Sequence, residues 1–353
     1  MNEPTISGTA TVRDAVRVIE LVRKTIAVVL GDDGAVLGTV SDGDVRRAIM
    51  SGHGLDGPVS QIMNPEPALA VEGSSDSYLM HMLGERGLEA VPVVDSHGKF
   101  VRVVYRGDLE RQPAERRETF ACAVIMAGGP GSRLGELTRS TPKPMLPVGG
   151  TPLLERAVHR LADAGVKRIY IAVNYLHHKI EDHFRDGGEF GVEIRYLREK
   201  QRLGTAGALS LMQESPEGQL LVINGDVLTT FDYSRLYAYH LEQRANLTVG
   251  VIEYHVEIPY GVVRVTDDLA SGLEEKPSQR FLCNAGIYGL SPDMLARIPK
   301  AQPYDMTQLI EQSIGAGERV HVFPIHEYWT DIGHPEDLER ARSDVNRLDG
   351  THG

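Results

Sequence analysis

Val124-Ile125-Met126-Ala127-Gly128-Gly129-Pro130-Gly131-Ser132-Arg133-Leu134 is the stretch on which the reading of this chain turns. Four apolar residues run directly into three glycines within four positions. The apolar run reads as a buried strand. The glycines let the backbone approach a ligand closely and line up successive N–H groups as an anion cradle. The residues after them are expected to open a helix, whose N-terminus would add its positive dipole end. Arg133 offers a planar, permanently charged fork for phosphate oxygens. Lys143, set between Pro142 and Pro144, supplies a second fixed positive charge. The glycine spacing matches neither the dinucleotide-binding fingerprint nor the phosphate loop of Walker-type NTPases. A glycine loop at a strand end can also be purely structural; Arg133, Lys143 and the acidic positions downstream point to phosphate chemistry.

Working outward, strand-like runs at 121–126, 168–173, 193–196 and 220–223 alternate with helical runs at 153–165, 178–184 and 206–212. Such alternation predicts an α/β domain with a largely parallel sheet. The later runs at 247–252, 261–265 and 286–289 are richer in strand and predict a mixed sheet carrying the second half of a site. Asp226 follows an apolar strand, where open α/β sheets present ligands. Asp331 follows Trp329-Thr330 and precedes Ile332-Gly333. Each Asp by itself is most often a cap or turn residue.

The first third of the chain is a repeat at an offset of 64 residues, gap-free from about 11 to 109. Ala27-Val28-Val29-Leu30 aligns with Val91-Pro92-Val93-Val94, Gly34 with Gly98, Val40 with Val104, and Asp44 with Asp108. Each half reads as a helix, a strand, a turn with Asp and Gly, a second strand and a polar turn into another helix. So short a sheet could hardly bury both faces alone, so two copies packed about a pseudo-twofold are expected. The domain plan is a repeat pair over 1–112 (copies about 5–55 and 60–112), a charged linker over 113–119, and an α/β domain over 120–348.

The 353 residues carry 37 Lys+Arg against 49 Asp+Glu, a net charge of −12. An acidic chain is a poor general nucleic-acid binder, and none is expected as a partner. Two distant cysteines, Cys122 and Cys283, make neither a metal motif nor a disulfide framework. The polar start shows no leader-like run, and no stretch reaches the roughly 18 apolar residues of a membrane helix. A cytoplasmic protein without a membrane partner is expected. The histidines, His177-His178 included, show no metal-binding spacing.

Taken together, 128–134 and 142–147 closely resemble the signature of sugar-1-phosphate nucleotidyltransferases. Further segments follow in that family's order: Leu203-Gly204-Thr205-Ala206-Gly207-Ala208-Leu209, Asn224-Gly225-Asp226, Tyr260-Gly261-Val262, Glu275-Lys276-Pro277, Asn284-Ala285-Gly286 and Trp329-Thr330-Asp331-Ile332-Gly333. The resemblance covers about 120–347. It departs at Pro130, where a small residue or glycine is usual, and at Gly135-Glu136, where a proline is usual. It implies an α/β, Rossmann-like nucleotidyltransferase domain with a mixed sheet. It further implies catalytic roles for Arg133, Lys143 and Asp226, and nucleotide contacts from Ala127, Gly128, Gly129, Gly131, Ser132, Gln201, Gly204 and Thr205. Gly261, Glu275, Lys276 and Asn284 would hold the sugar phosphate, and Asp226 and Asp331 a magnesium ion, Mg2+. The implied reaction joins an NTP and a sugar 1-phosphate into an NDP-sugar with release of pyrophosphate. The 203–209 segment looks most like guanylyltransferases acting on mannose, heptose or glucosamine 1-phosphates, so GTP is the expected nucleotide. A uridylyl- or thymidylyltransferase, or a non-catalytic nucleotide sensor, are the rival readings.

Within the repeat pair, Gly38-Thr39-Val40-Ser41-Asp42-Gly43-Asp44 resembles the ligand-binding turn of CBS domains. That resemblance implies a tandem CBS pair in which Ser41 would contact phosphate and Asp44 ribose hydroxyls of a regulatory nucleotide. In the second copy Asp108 is kept, but Tyr105 and Arg102 replace the expected Ser/Thr and Gly, so one competent site at most is expected. A homo-oligomer is expected.

Overall fold

Ile26-Ala27-Val28-Val29-Leu30 has no polar alternation, so a strand built from it must be covered on both faces. The computed structural model of the chain, which describes residues 3–21, 26–109 and 118–350, meets that demand. The side chains of 21, 76, 77, 107, 108 and 346–350 are outside the described set. The chain divides into two compact units, Met1–Arg117 and Glu118–Gly353. Of the linker expected at 113–119, residues up to 117 lie outside the described residues.

The first unit contains β1 (Thr5–Ser7), α1 (Val12–Leu21), β2 (Ile26–Leu30), β3 (Val36–Ser41), α2 (Asp42–Met50), β4 (Ala70–Val71), α3 (Asp76–Glu85), β5 (Ala90–Val94), β6 (Phe100–Tyr105) and α4 (Arg106–Leu109). Two three-stranded sheets, β1-β2-β3 and β4-β5-β6, share one topology: a parallel pair followed by an antiparallel pair. Ala27 and Val29 pack with Ile19 and Ile49 of their own copy's helices. Ile26 and Val28 turn the other way and meet Ala90, Phe100 and Val103 of the second copy. The Phe100 N–H also donates to the Gly34 carbonyl at 3.1 Å. Each copy thus supplies the missing cover of the other, as the duplicated pattern requires.

The second unit contains β7 (Cys122–Met126), β8 (Pro147–Val148), β9 (Thr151–Pro152), α5 (Leu153–Asp163), β10 (Arg168–Val173), α6 (His177–Phe184), β11 (Glu193–Arg198), α7 (Gly204–Gly207), β12 (Leu220–Asn224), β13 (Val227–Thr229), α8 (Tyr233–Glu242), β14 (Leu247–Glu257), β15 (Val262–Thr266), β16 (Leu269–Glu274), β17 (Ser278–Leu290), α9 (Met306–Gly315), β18 (Val320–Ile325), β19 (Trp329–Asp331) and α10 (Pro335–Gly350). Seven strands form one sheet in the order β11-β10-β7-β12-β17-β14-β18. All run parallel except β17, which is antiparallel to both its neighbours. The central strands are apolar throughout and buried on both faces. One face packs on Leu154, Val158 and Leu161 of α5, spaced as a helical stripe. The other packs on Met306 and Leu309 of α9. The run expected as a helix at 206–212 is α7 followed by a 3-10 turn.

His240 of α8 is a buried polar group inside this core. Its Nδ1 lies 2.7 Å from Thr248 Oγ1 and its Nε2 3.0 Å from Gln219 Oε1. Gln219 Oε1 only accepts, so Nε2 carries the proton and Nδ1 accepts from the Thr248 hydroxyl. Burial, then the charge of His321, pushes its pKa down from 6.5 to about 4. The native state therefore binds fewer protons than the unfolded chain between those values. Its contribution is complete above pH 6.5 and falls as the pH drops toward 4, by about 3 kcal/mol across the window. Urea unfolding between pH 6.5 and 5 should show this slope, and His240→Gln should flatten it. Equal slopes in the two proteins would remove His240 as the cause.

Candidate active site

The C-terminal ends of β7, β10, β11 and β12 open onto the glycine loop. Gly225 N–H donates to the Met126 carbonyl at 2.9 Å, and a Cβ on Gly225 would stand 2.7 Å from that oxygen. Only a glycine allows β7 and β12 to end in such contact, and this fixes Asp226 beside the loop. Gly131 has φ +64, and a Cβ there would stand 2.8 Å from Lys143 Cβ and 2.9 Å from Thr138 Cγ2. The Thr138 hydroxyl ties the loop closed by donating to the carbonyls of Gly131 and Gly135 at 3.0 and 3.2 Å.

The helix expected after the loop is instead a 3-10 stretch, Ser132–Thr138, broken at Gly135 with φ 58 and ψ −126. So short and kinked a segment carries little macrodipole. Fixed charge here comes from side chains. Lys143 is only 7% exposed, and its Nζ donates to Asp226 Oδ2 at 2.5 Å and lies 3.8 Å from Asp331 Oδ1. Asp331 reaches this position through the short antiparallel pair β13–β19, which sets Val227 opposite Asp331, and through Ile332 N–H donating to the Asp226 carbonyl at 3.1 Å. Burial, and next the neighbouring Asp226 charge, pushes the Asp331 carboxyl above the ordinary range; Lys143 and Arg133 oppose this. Arg133 makes no hydrogen bond among the described residues, and its Nη1 lies 3.7 Å from where a Cβ on Gly333 would stand. Two carboxylates thus converge on one lysine with a free guanidinium close by. Oxygen-only donors carrying mutual repulsion suit a hard divalent cation such as magnesium.

Gln201, Gly204 and Thr205 are all held against the segment that leads into α9. A Cβ on Gly204 would stand 2.5 Å from Asp305 Oδ1, so this glycine accommodates Asp305. Thr205 N–H donates to Asp305 Oδ1 at 2.9 Å, and Thr205 Oγ1 accepts from Met306 N–H at 2.8 Å. The Gln201 amide donates to the Ala301 carbonyl at 3.3 Å. These three groups hold the segment to the start of α9. The side chain that faces the loop is Glu199, which the sequence reading passed over. Its Oε2 accepts from Leu203 N–H at 2.8 Å. Its Oε1 has no partner among the described residues and lies 2.6 Å from where a Cβ on Gly128 would stand. Burial raises its pKa.

On the far side, Gly261 leaves room for Glu275, whose Oε2 lies 2.9 Å from a Cβ placed there. Lys276 has φ 47. Asn284 Oδ1 accepts from Gly286 N–H at 2.9 Å. In the first unit, Ser41 and Asp44 cap α2 reciprocally: Asp44 N–H donates to Ser41 Oγ, and Ser41 N–H and Oγ–H donate to Asp44 Oδ2. In this state they serve the helix: the Ser41 hydroxyl proton is given to Asp44, and donation to a phosphate oxygen would require that hydroxyl to turn away from it. Asp108 is outside the residues whose side chains are described.

Residues 122–347 match the model of the nucleotidyl transferase family, and the chain belongs to that family. Residues 1–51 and 59–115 match the CBS domain model. The chain is similar to a Mycobacterium tuberculosis mannose-1-phosphate guanylyltransferase, 30% identical over 64% of each chain. It is 32% identical to a Synechocystis UTP–glucose-1-phosphate uridylyltransferase over 62% of each chain. In structure it resembles a Bacillus anthracis protein assigned as a glucose-1-phosphate thymidylyltransferase, solved with sucrose. That match has a TM-score of 0.52 and 27% identity, covering 63% of this chain and 94% of that one. The chain spans less than two thirds of the length of these curated relatives. Among the described residues no helix is long and apolar enough to cross a membrane.

Gly131→Ala should lower unfolding free energy by about 1–3 kcal/mol, because the positive φ and the contacts with Lys143 and Thr138 both oppose a methyl group. Urea titration checks this; an unchanged midpoint would mean that the loop adapts freely.

Proposed function

We propose that this chain is a magnesium-dependent guanylyltransferase that converts GTP and a sugar 1-phosphate into a GDP-sugar and pyrophosphate. The convergence of Lys143, Asp226 and Asp331 beside the glycine loop is the observation that carries it. The reaction forms a bond from a sugar-phosphate oxygen to the α-phosphorus and breaks the bond to the bridging oxygen, with pyrophosphate leaving. Such chemistry is accelerated chiefly by positioning and by neutralising charge. The backbone N–H groups of Gly128, Gly129, Gly131 and Ser132 would receive the phosphates, with Ala127 at the strand end. Arg133 would balance charge on the departing pyrophosphate, and Lys143 charge at the α-phosphate. Asp226 and Asp331 would hold Mg2+, which when bound supplies positive charge shared between phosphate oxygens. Gly261, Glu275, Lys276 and Asn284 would place the mannose-, heptose- or glucosamine-type 1-phosphate.

Glu199 supports guanine. Guanine presents adjacent N1–H and N2–H donors, which one ionised carboxylate accepts together. Uracil and thymine present one N–H flanked by two carbonyls that would face the carboxylate unfavourably. This proposal moves base reading from Gln201, Gly204 and Thr205 to Glu199. A regulatory nucleotide at Ser41 and Asp44 is part of the proposal; it would act only through unequal affinity for two states of the enzyme.

The test is Mg2+-supported pyrophosphate release from GTP, CTP, UTP, dTTP and ATP with a panel of aldose 1-phosphates. GTP alone should support sugar-dependent release. Turnover with UTP or dTTP instead would overturn the base assignment and leave the chemistry. Asp226→Asn should cut the rate on the order of a hundredfold or more with folding intact; an undiminished rate would remove the metal assignment. Glu199→Gln should lower the GTP-over-UTP ratio of kcat/KM about tenfold or more. An unchanged ratio would clear Glu199 of any part in base selection.

A further inference from the structure

Three neighbouring strand ends bring together residues that are far apart in sequence. Just past β7, Ala127 N–H donates to the Ala172 carbonyl at 3.0 Å; just past β11, Glu199 N–H donates to the Val173 carbonyl at 2.9 Å. β10 lies between those two strands, so Asn174, the first residue after it, comes between Gly128 and Glu199. Its Cβ lies 3.4 Å from where a Cβ on Gly128 would stand, the same point that Glu199 Oε1 approaches to 2.6 Å. A side chain at 128 would fill this place, and glycine leaves it open.

The Asn174 amide has a defined orientation. Its Nδ2 donates to the Glu199 main-chain carbonyl at 2.8 Å. A carbonyl only accepts, so the amide nitrogen faces Glu199 and the amide oxygen points elsewhere. Asn174 Oδ1 has no partner among the described residues and is not sealed from solvent. Two acceptors, Glu199 Oε1 and Asn174 Oδ1, therefore flank the place beside Gly128. Phosphate oxygens and base carbonyls only accept and do not pair with them; a group with several N–H bonds does.

We propose, on the reading of Glu199 as the carboxylate that recognises guanine, that Asn174 Oδ1 accepts the remaining N–H of the guanine amino group. That amino group carries two hydrogens. The one beside N1–H goes to Glu199. The other points toward the N3 edge of the base, where a second acceptor is needed to take it. Hypoxanthine keeps N1–H and lacks the amino group, so Asn174 sharpens selection of GTP over its inosine counterpart, ITP. The same Asn174 amide, tied to the Glu199 main chain, fixes the spacing of the two acceptors.

The experiment compares kcat/KM for GTP, ITP and dGTP in the wild type, Asn174→Ala and Asn174→Ser, each with the aldose 1-phosphate that the wild type uses best and each checked for a normal unfolding midpoint. The GTP-to-ITP ratio should fall about tenfold in both variants, as expected for one lost hydrogen bond to a buried base. Turnover of ITP should stay near the wild-type value, and the GTP-to-dGTP ratio should not move. An unchanged GTP-to-ITP ratio, an equal fall with GTP and ITP in both variants (Asn174 then only holds Glu199 in place), or a change confined to the GTP-to-dGTP ratio (contact with the ribose) would each overturn this assignment and leave guanine recognition by Glu199 standing. A wild type that uses UTP or dTTP in place of GTP would overturn both.

Discussion

The antiparallel pairing of β13 with β19 is the constraint on which the candidate site depends. It joins two three-residue strands a hundred residues apart in sequence, and it puts Asp331 across from Val227, next to Asp226. Two carboxylates at that range repel, and burial makes the repulsion costlier. Lys143 offsets it from between them, on a segment stiffened by Pro142 and Pro144. The glycine loop then fits only because Gly131 leaves room for the lysine stem. Sheet, lysine and loop are therefore one assembly rather than three adjacent features.

This interdependence explains which parts were legible in the sequence. The central strands were, because uninterrupted apolar runs such as Cys122–Met126 must be covered on two faces. The duplication was also legible, since Val28 and Ala90 answer the same need from two copies. The β13–β19 pair was not: three residues carry no periodicity, and partnership at long range is set by the fold around them. The helix expected after the loop failed for a local reason, the left-handed conformation of Gly135, which stops helical hydrogen bonding after one turn. The family resemblance pointed to the segments of Asp226 and Asp331, and the geometry supplied the reason the two carboxylates meet.

The 199–209 segment shows how one signal can serve two needs. Gly204 and Thr205 stand out in sequence as a ligand-contacting pair, and a glycine with positive φ invites that reading. Their observed partners, Asp305 and the start of α9, are a structural need of equal force: a helix N-terminus has unsatisfied N–H groups, and Thr205 Oγ1 satisfies one of them. Glu199 carried no signal, because a glutamate on a charged strand end (Arg198-Glu199-Lys200) looks solvated. Its burial follows from the tight Leu203 turn that its own Oε2 helps to close.

The same logic separates the two sides of the β14–β17 arm. The charged face is internally paired, Glu253 holding both His255 and Arg280, so its polar groups need no partner beyond the arm. The apolar face has no such internal solution, because apolar side chains on a two-stranded ribbon have nothing of their own to pack against. A period of two is what lets one ribbon carry two such different faces: residues adjacent in sequence stand on opposite surfaces. Substitutions at neighbouring positions of the arm should therefore separate: those at Glu253 break the ion pairs with His255 and Arg280, and those at Tyr254 leave them in place.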